Sequence, residues 1–178
     1  MGNNEGRKEN RLIFWNKISS PLGNIFVGWN KKGVVIVNWL NLKKNLSLLQ
    51  NNGYKPINLM ESIVIEQLNE YFEGKRRKFK LKLDLHGSSF ELKVWKEILN
   101  IPYGKTRSYG EIAKIIGKRN YARAVGSACR KNKICIIIPC HRVIGYNDRL
   151  VGYSGGIKRK LWLLEHEAKF ANGKGKKY

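Results

Sequence analysis

Cys140 and His141 stand side by side in the run Pro139-Cys140-His141-Arg142, and together they can make and use a thiolate. A thiol attacks carbon as its anion, which a base, a nearby positive charge or a helix N-terminus favours. Glu167, on the last helical pattern of the chain, is the carboxylate that would orient the imidazole and complete a Cys–His–carboxylate arrangement of the kind hydrolases use. Most single cysteines are inert core residues and adjacent side chains often point apart, so the dyad alone leaves packing, transfer chemistry and hydrolysis open. Cys129, Cys135 and Cys140 fall within twelve consecutive residues, and no cysteine precedes residue 129. An odd number clustered in this way does not describe a secreted disulfide framework; it points to an intracellular protein that keeps a thiol for chemistry. No metal site is expected, because the spacing of Cys129, Cys135 and the histidines matches no usual zinc pattern. His86 and His166 read as surface or structural residues, and Trp95 and Trp162 as core.

A second unusual stretch is residues 121–129, Tyr-Ala-Arg-Ala-Val-Gly-Ser-Ala-Cys. Ala122, Ala124, Gly126, Ser127 and Ala128 give a helix there a small face, with Arg123 its one long side chain. Readers of the major groove present several long polar side chains to base edges. A small face instead lets a helix press against a narrow groove where sequence information is degenerate, which suits a search for damage at any sequence. Close helix–helix packing uses the same small residues, and the stretch alone does not separate the two readings.

The elements that must position these residues fall into two halves. Residues 11–18, 24–30 and 34–39 read as strands separated by turns at Ser20–Gly23 and Lys31–Gly33, an antiparallel meander. Residues 60–73 place Met60, Ile63, Val64, Leu68, Tyr71 and Phe72 on one helical face that Gly74 ends. Phe79, Leu81, Leu83 and Leu85 then alternate with charges, as on a half-exposed strand. From about residue 88 the pattern turns to short helices. Ser88 with Glu91 and Ser108 with Glu111 form capping boxes, the first before Val94, Trp95, Ile98 and Leu99, the second before a helix that stops at Gly117. Asn120 is a candidate cap for a third helix through about Arg130, and the last two make a helix-turn-helix. The apolar stretch Ile134–Ile138 leads to Cys140, a Gly-bounded loop over 145–156 follows, and a last helix spans about 157–167. No internal repeat is visible.

Charge narrows the partner. Thirty-five Lys and Arg against thirteen Asp and Glu give a formal net charge of +22 over 178 residues, so nucleic acid is the default partner, with a solvated basic surface as the plain alternative. Basic clusters at 75–82, 118–133, 158–160 and in the tail would meet phosphates in a salt-sensitive, largely sequence-independent way. A hydrophobic share of 42% with five tryptophans argues against general disorder. No apolar run is long enough to span a bilayer, the N-terminus has no signal pattern, and Gly6 stands where a myristoylation start needs Ser or Thr.

Residues 88–167 resemble the catalytic domain of the O6-alkylguanine-DNA alkyltransferases, the methylated-DNA–protein-cysteine methyltransferases. The likeness rests on VW at 94–95, IPYGKTRSYGEIA at 101–113, ARAVGSACRKN at 122–132, IPCHRVIG at 138–145, GYSGG at 152–156 and WLLEHE at 162–167, all in family order. The meander with SPLG at 20–23 resembles the family's first domain more loosely. The resemblance implies direct-reversal repair: irreversible transfer of the alkyl group from O6-alkylguanine in duplex DNA, with O4-alkylthymine a further candidate, to Cys140, once per molecule and without a cofactor. It implies His141 as base through a water, Glu167 as its orienting partner, and Tyr109 as donor to N3 of the departing guanine. Asn132 would brace the active-site turn. Arg123 would fill the stack left by the flipped nucleotide, on a minor-groove helix with Ala122, Ala124, Gly126 and Ser127. The carbonyls of Cys140 and Val143, the amide of Ser154, Tyr153, Gly155 and Cys135 would shape the substrate pocket. The chain departs from the family pattern at Lys133, where many relatives carry proline, and at Cys135, where a proline often contacts the alkyl group.

The expected architecture is α/β (α+β). A ribonuclease H-like N-terminal domain with an antiparallel sheet would span 1–86, a winged-helix-like helical domain 87–170, and a basic tail 171–178. The protein would act as an intracellular monomer, in the cytoplasm (nucleoid) or nucleus, away from membranes. Three rivals remain for the same residues: a non-catalytic damage-binding protein, a sequence-specific regulator, and a Cys–His hydrolase.

Overall fold

A computed structural model describes residues 11–39 and 41–172. The opening Met-Gly and the final residues 173–178 of the expected tail lie outside the described residues. Three antiparallel strands, β1 (Arg11–Ile18), β2 (Ile25–Asn30) and β3 (Gly33–Trp39), form the expected meander. The sequence reading left the next stretch unassigned. It holds α1 (Leu42–Asn51), capped by Asn41, which accepts from the Lys44 amide, and β4 (Tyr54–Asn58). β4 pairs parallel with β1, giving the order β3-β2-β1-β4. Pro56 argues against a central strand, but β4 lies at the sheet edge, where a missing donor is tolerated.

The helix expected over 60–73 is α2 (Ile63–Phe72). It starts later because Ser62 caps it by accepting from the Ile65 amide, leaving Met60 in solvent. The strand expected over 79–85 does not form. Phe79, Leu81, Leu83 and Leu85 pack on the core, but the segment makes one bridge, Val34 with Leu83. The Val34 amide donates to the Lys82 carbonyl at 2.9 Å and the Asp84 amide to the Val34 carbonyl at 2.9 Å, so contact with β3 is confined to that point.

The second half begins with α3 (Ser89–Leu99), then β5 (Arg107–Ser108), α4 (Tyr109–Ile115) and α5 (Ala122–Arg130). Both capping boxes form as read, Ser88 with Glu91 and Ser108 with Glu111. Asn120 does not cap α5. Tyr121 occupies that position, without a side-chain bond. β6 (Val143–Ile144) pairs parallel with β5, and α6 runs from Ile157 to Asn172, a turn beyond the expected end and into the stretch read as tail.

One core joins the halves. Ile18, Val27, Val34 and Val37 of the sheet pack in the same buried cluster as Leu68, Val94, Ile98, Val125, Ile134 and Leu163. The other sheet face, with Ile13, Phe26 and Ile36, is covered by Leu49 of α1. Burial on both faces explains why β3 reads as an unbroken apolar run. Each such side chain contributes about 2 kcal/mol on leaving water. Among the described residues no helix is long and apolar enough to cross a membrane.

Candidate active site

Cys140 opens a 3-10 turn, Cys140–Arg142, closed by the Val143 amide donating to the Cys140 carbonyl. The turn runs into β6, whose Val143 lies opposite Arg107 of β5. That pairing sets Tyr109, which follows β5 directly, beside the turn. The approach to Cys140 is also pinned from the sheet: the Val37 amide donates to the Lys133 carbonyl at 2.9 Å and the Cys135 amide to the Val37 carbonyl at 2.8 Å. Lys133, which lacks the fixed φ of a proline, is therefore held by the backbone of β3.

Asn132 braces the turn by three bonds. Its Nδ2 donates to the Ile138 carbonyl at 3.0 Å and to the Cys140 Sγ at 3.2 Å, and its Oδ1 accepts from the Ile134 amide at 2.9 Å. Between these points Ile136 sits at φ 73°, a left-handed conformation costly for a β-branched residue. Cys129, Cys135 and Cys140 are all buried free thiols. The Cys135 thiol as donor, the Asn132 amide and the Lys160 ammonium hold the Cys140 thiol below its ordinary pKa against the opposing effect of burial. Burial pushes the Cys129 thiol up. Cys135 is raised as well, by its bond to Cys140 and by burial.

The His141 ring is fully buried. Its Nε2 meets Glu167 Oε1 at 2.8 Å, and its Nδ1 has no partner among the described residues. Desolvation pulls the imidazole below its ordinary pKa although Glu167 favours the charged form. No hydrogen bond joins the ring directly to the Cys140 thiol among the described residues. Glu167 also accepts from Tyr71 Oη at 2.8 Å, the Gly104 amide at 3.1 Å, and Arg142 Nε and Nη2 at 2.8 and 2.9 Å. Gly104 reaches this carboxylate from a φ of 70°, where a side chain would also meet Ala171. Burial opposes ionisation of Glu167, but the His141 ring and the Arg142 guanidinium hold its carboxyl far below the ordinary range.

Cys140 lies at the edge of a cavity of about 600 Å3, lined by Tyr109, Ala122, Arg123, Gly126, Tyr153 and Ser154 among others. Burial keeps the Tyr109 hydroxyl protonated, and it donates to the carbonyls of Val151 and Gly152 at 3.2 and 3.3 Å. Gly126 of α5 faces the Tyr109 ring, where an added Cβ would rest at an ordinary contact distance of 3.7 Å. Of the residues expected on the helix face, Ala122, Arg123 and Gly126 line this cavity, whereas Ala124 and Ser127 do not. Of those expected in the pocket, Tyr153 and Ser154 line it, and Cys135, Gly155 and the fully buried Val143 do not. Cys135 sits behind Cys140. Gly155 packs on the sheet half, where a Cβ would overlap Trp39 Nε1.

The sequence reading missed three residues. Tyr71 brings α2 of the first half onto Glu167, and no local pattern marks it as more than core. Arg142 spans Glu167 and the Ile101 carbonyl, and its place in the cysteine motif was the available signal. From sequence Lys160 reads as part of the basic cluster at 158–160. It is instead 0% exposed, its ammonium donating to the carbonyls of Val143 at 2.6 Å and Val151 at 2.9 Å. Arg159, its neighbour, is likewise turned inward, over the Trp39 ring at 4.5 Å and onto the Leu22 and Gly155 carbonyls. His166 is structural: it is buried, 2.8 Å from the Tyr71 carbonyl and stacked on Trp162. The strap 77–83 borders a separate groove with Tyr103, Ile137, Pro139 and Arg142, on the other side of the turn from the cavity.

The same residues place the chain among known proteins. Residues 13–85 match the family described as 6-O-methylguanine DNA methyltransferase, ribonuclease-like domain, and residues 89–169 its DNA binding domain. The methylated-DNA–protein-cysteine methyltransferase of Mycobacterium leprae is 43% identical over 88% of this chain and 93% of its own. The crystal structure of Mycobacterium tuberculosis O6-methylguanine methyltransferase superposes with a TM-score of 0.80 at 42% identity, covering 91% of this chain and 96% of that one. The M. tuberculosis OGT structure in complex with DNA gives a TM-score of 0.78 at 42% identity over 89% of this chain and 94% of its own. With both halves matched, the chain belongs to the 6-O-methylguanine DNA methyltransferase family.

Proposed function

We propose that the protein takes the alkyl group from O6-alkylguanine in duplex DNA onto Cys140, irreversibly and once per molecule. The observation that carries this reading is the Cys140 thiol, held low in pKa by donors and a buried ammonium, at the edge of a cavity walled by a small-faced helix bearing Arg123. A cavity of about 600 Å3 can take an extruded base, and flipping costs a few kcal/mol.

In this reading the His141 Nδ1 lone pair accepts the thiol proton through a water, and Glu167 holds the ring by Nε2. The Cys140 thiolate attacks the carbon bonded to O6. The S–C bond forms, the C–O bond breaks, and the electron pair moves into the guanine ring. Tyr109 leaves the Val151 and Gly152 carbonyls and donates to guanine N3, neutralising the developing charge. The carbonyls of Cys140 and Val143 accept from the guanine amino group. The Val143 oxygen, which already takes the Lys160 ammonium, would use its second lone pair. The Ser154 amide faces O6 with Tyr153 beside it, and Arg123 occupies the vacated stack. A thioether has no good leaving group, so neither reversal nor hydrolysis follows, and no cofactor enters. The protein works as an intracellular monomer; Ala124 and Ser127 face the minor groove, outside the pocket. The division into 1–86, 87–170 and a basic tail belongs to the same reading.

The test is intact-protein and peptide mass after mixing with a duplex carrying one O6-methylguanine. The expected outcome is one added methylene, on the Cys140 peptide, never more than one per protein, and none in Cys140→Ser. Tight lesion binding without mass gain would indicate a damage-binding protein instead. Neither gain nor binding would sink the reading.

A further inference from the structure

Cys135 makes and breaks no bond in the transfer step, yet it shares a partner with the residue that performs it. Asn132 holds both thiols: its Nδ2 lies 3.2 Å from the Cys140 Sγ and its carbonyl 3.8 Å from the Cys135 Sγ. The Cys135 thiol is also the first of the groups that lower the Cys140 thiol. The chain between them is folded tightly, the Ile137 amide on the Cys135 carbonyl at 2.9 Å and the Cys140 amide on the Ile138 carbonyl at 2.8 Å. Both thiols are buried, but Cys140 lines the cavity and Cys135 does not, so a small oxidant entering through the cavity meets Cys140 first. Cys129 also lines the cavity, but it acts on Cys140 only through space, with no bond between the two thiols.

We propose that Cys135 is the resolving thiol of Cys140, closing on it as a reversible disulfide when a hydroperoxide has oxidised it. The Cys140 thiolate attacks the peroxide oxygen. The O–O bond breaks, an S–O bond forms, and with one proton the products are Cys140 sulfenic acid and an alcohol, which is water when the oxidant is hydrogen peroxide. The Cys135 sulfur then attacks the Cys140 sulfur. The S–S bond forms, the S–O bond breaks, and hydroxide leaves with the Cys135 proton as water. Two thiols have lost two electrons and the peroxide has gained them. Without a resolving partner the sulfenic acid continues to sulfinic and sulfonic acids, which thiols do not reduce. For a protein whose acceptor works once, that loss removes the whole molecule, and a disulfide keeps it recoverable. This inference rests on the reading of Cys140 as the reactive thiol.

The experiment treats the reduced full-length protein with hydrogen peroxide, blocks remaining thiols with iodoacetamide, and maps peptides by mass. The expected result is a loss of two hydrogens, a Cys135–Cys140 link, and full recovery of mass and methyl uptake with dithiothreitol. Cys135→Ala, with Cys135→Ser as a second variant, should instead carry Cys140 as sulfinic or sulfonic acid, with methyl uptake not restored by dithiothreitol. Cys129→Ala should form the same link as the unaltered chain. A Cys129–Cys140 link, or an unaltered chain that goes directly to Cys140 sulfinic acid, overturns the proposal. Methyl uptake by the untreated reduced protein is measured in parallel. Its absence sinks the repair reading, whereas intact uptake without the link sinks only the redox one.

Discussion

His141 gives Nε2 to Glu167 at 2.8 Å and leaves Nδ1 buried with no partner among the described residues. A carboxylate accepts, so the proton stays on Nε2 and the lone pair points from Nδ1. Burial keeps the ring neutral at physiological pH, which is the form a base requires. The relationship fixes the tautomer and leaves a lone pair for the proposed role of base.

Glu167→Gln should therefore affect stability and transfer together. It leaves the buried Arg142 guanidinium without its counter-charge, a change that costs about 3–5 kcal/mol. The Glu167 carboxyl is far more acidic in the fold than in the unfolded chain, so its contribution is present above about pH 4.5 and lost as pH falls below it. Urea titrations from pH 7 to pH 3 should show stability declining over the acid range in the unaltered chain and a flatter profile in the variant. Equal slopes would show that another carboxylate controls acid unfolding.

Lys160 is a charge buried on purpose rather than a surface lysine. Burial brings its ammonium down to about 8 from an ordinary 10.5. The unfolded chain holds that proton between about pH 8 and about pH 10.5 while the fold gives it up, so this group makes stability rise with pH across that window. Below it the ammonium is charged and lowers the Cys140 thiol. Lys160→Met should move the pH midpoint of Cys140 alkylation by iodoacetamide upward. An unchanged midpoint would reduce Lys160 to tying the 143 and 151 segments together.

Much of this site was legible and some was not, for physical reasons. Cys140, His141, Glu167 and Tyr109 could be read because their types carry chemistry and the resemblance supplied their partners. The two capping boxes were legible because a local pattern dictates a local bond. Tyr71 and Lys160 were not, since a Tyr on an apolar helix face and a Lys in a basic run are ordinary until the fold brings a carboxylate or three carbonyls to them. The strand expected at 79–85 failed because alternation reports burial of one face but not a partner to pair with. α1 and β4 were passed over although Leu42, Leu46 and Leu49 share helical spacing and Gly53 ends the pattern.

Tyr71→Phe removes one of the five donors to Glu167 while keeping the ring in the core. A hydrogen bond to a charged group contributes about 1.5–3 kcal/mol. Chemical denaturation should show a loss at the lower end of that range, because four donors remain. No change would mean that the hydroxyl bond only replaces one to water.

Arg123→Ala should weaken transfer from duplex DNA more than transfer from free O6-benzylguanine, since only the duplex has a stack to fill. Single-turnover rates on both substrates decide it, and equal losses would assign Arg123 to pocket shape instead of intercalation.

The continuous core has a consequence for what can be taken away. Ile134, in the run leading to the acceptor turn, packs with Val34 and Val37 of the sheet, and Val37 also carries the backbone bonds that pin residues 133 and 135. Cut between the halves, the chemistry-bearing half would present a raw apolar face and an unpaired strand edge. It is not a transplantable module. A lesion in β3 is therefore a lesion in the backbone that holds the turn carrying Cys140.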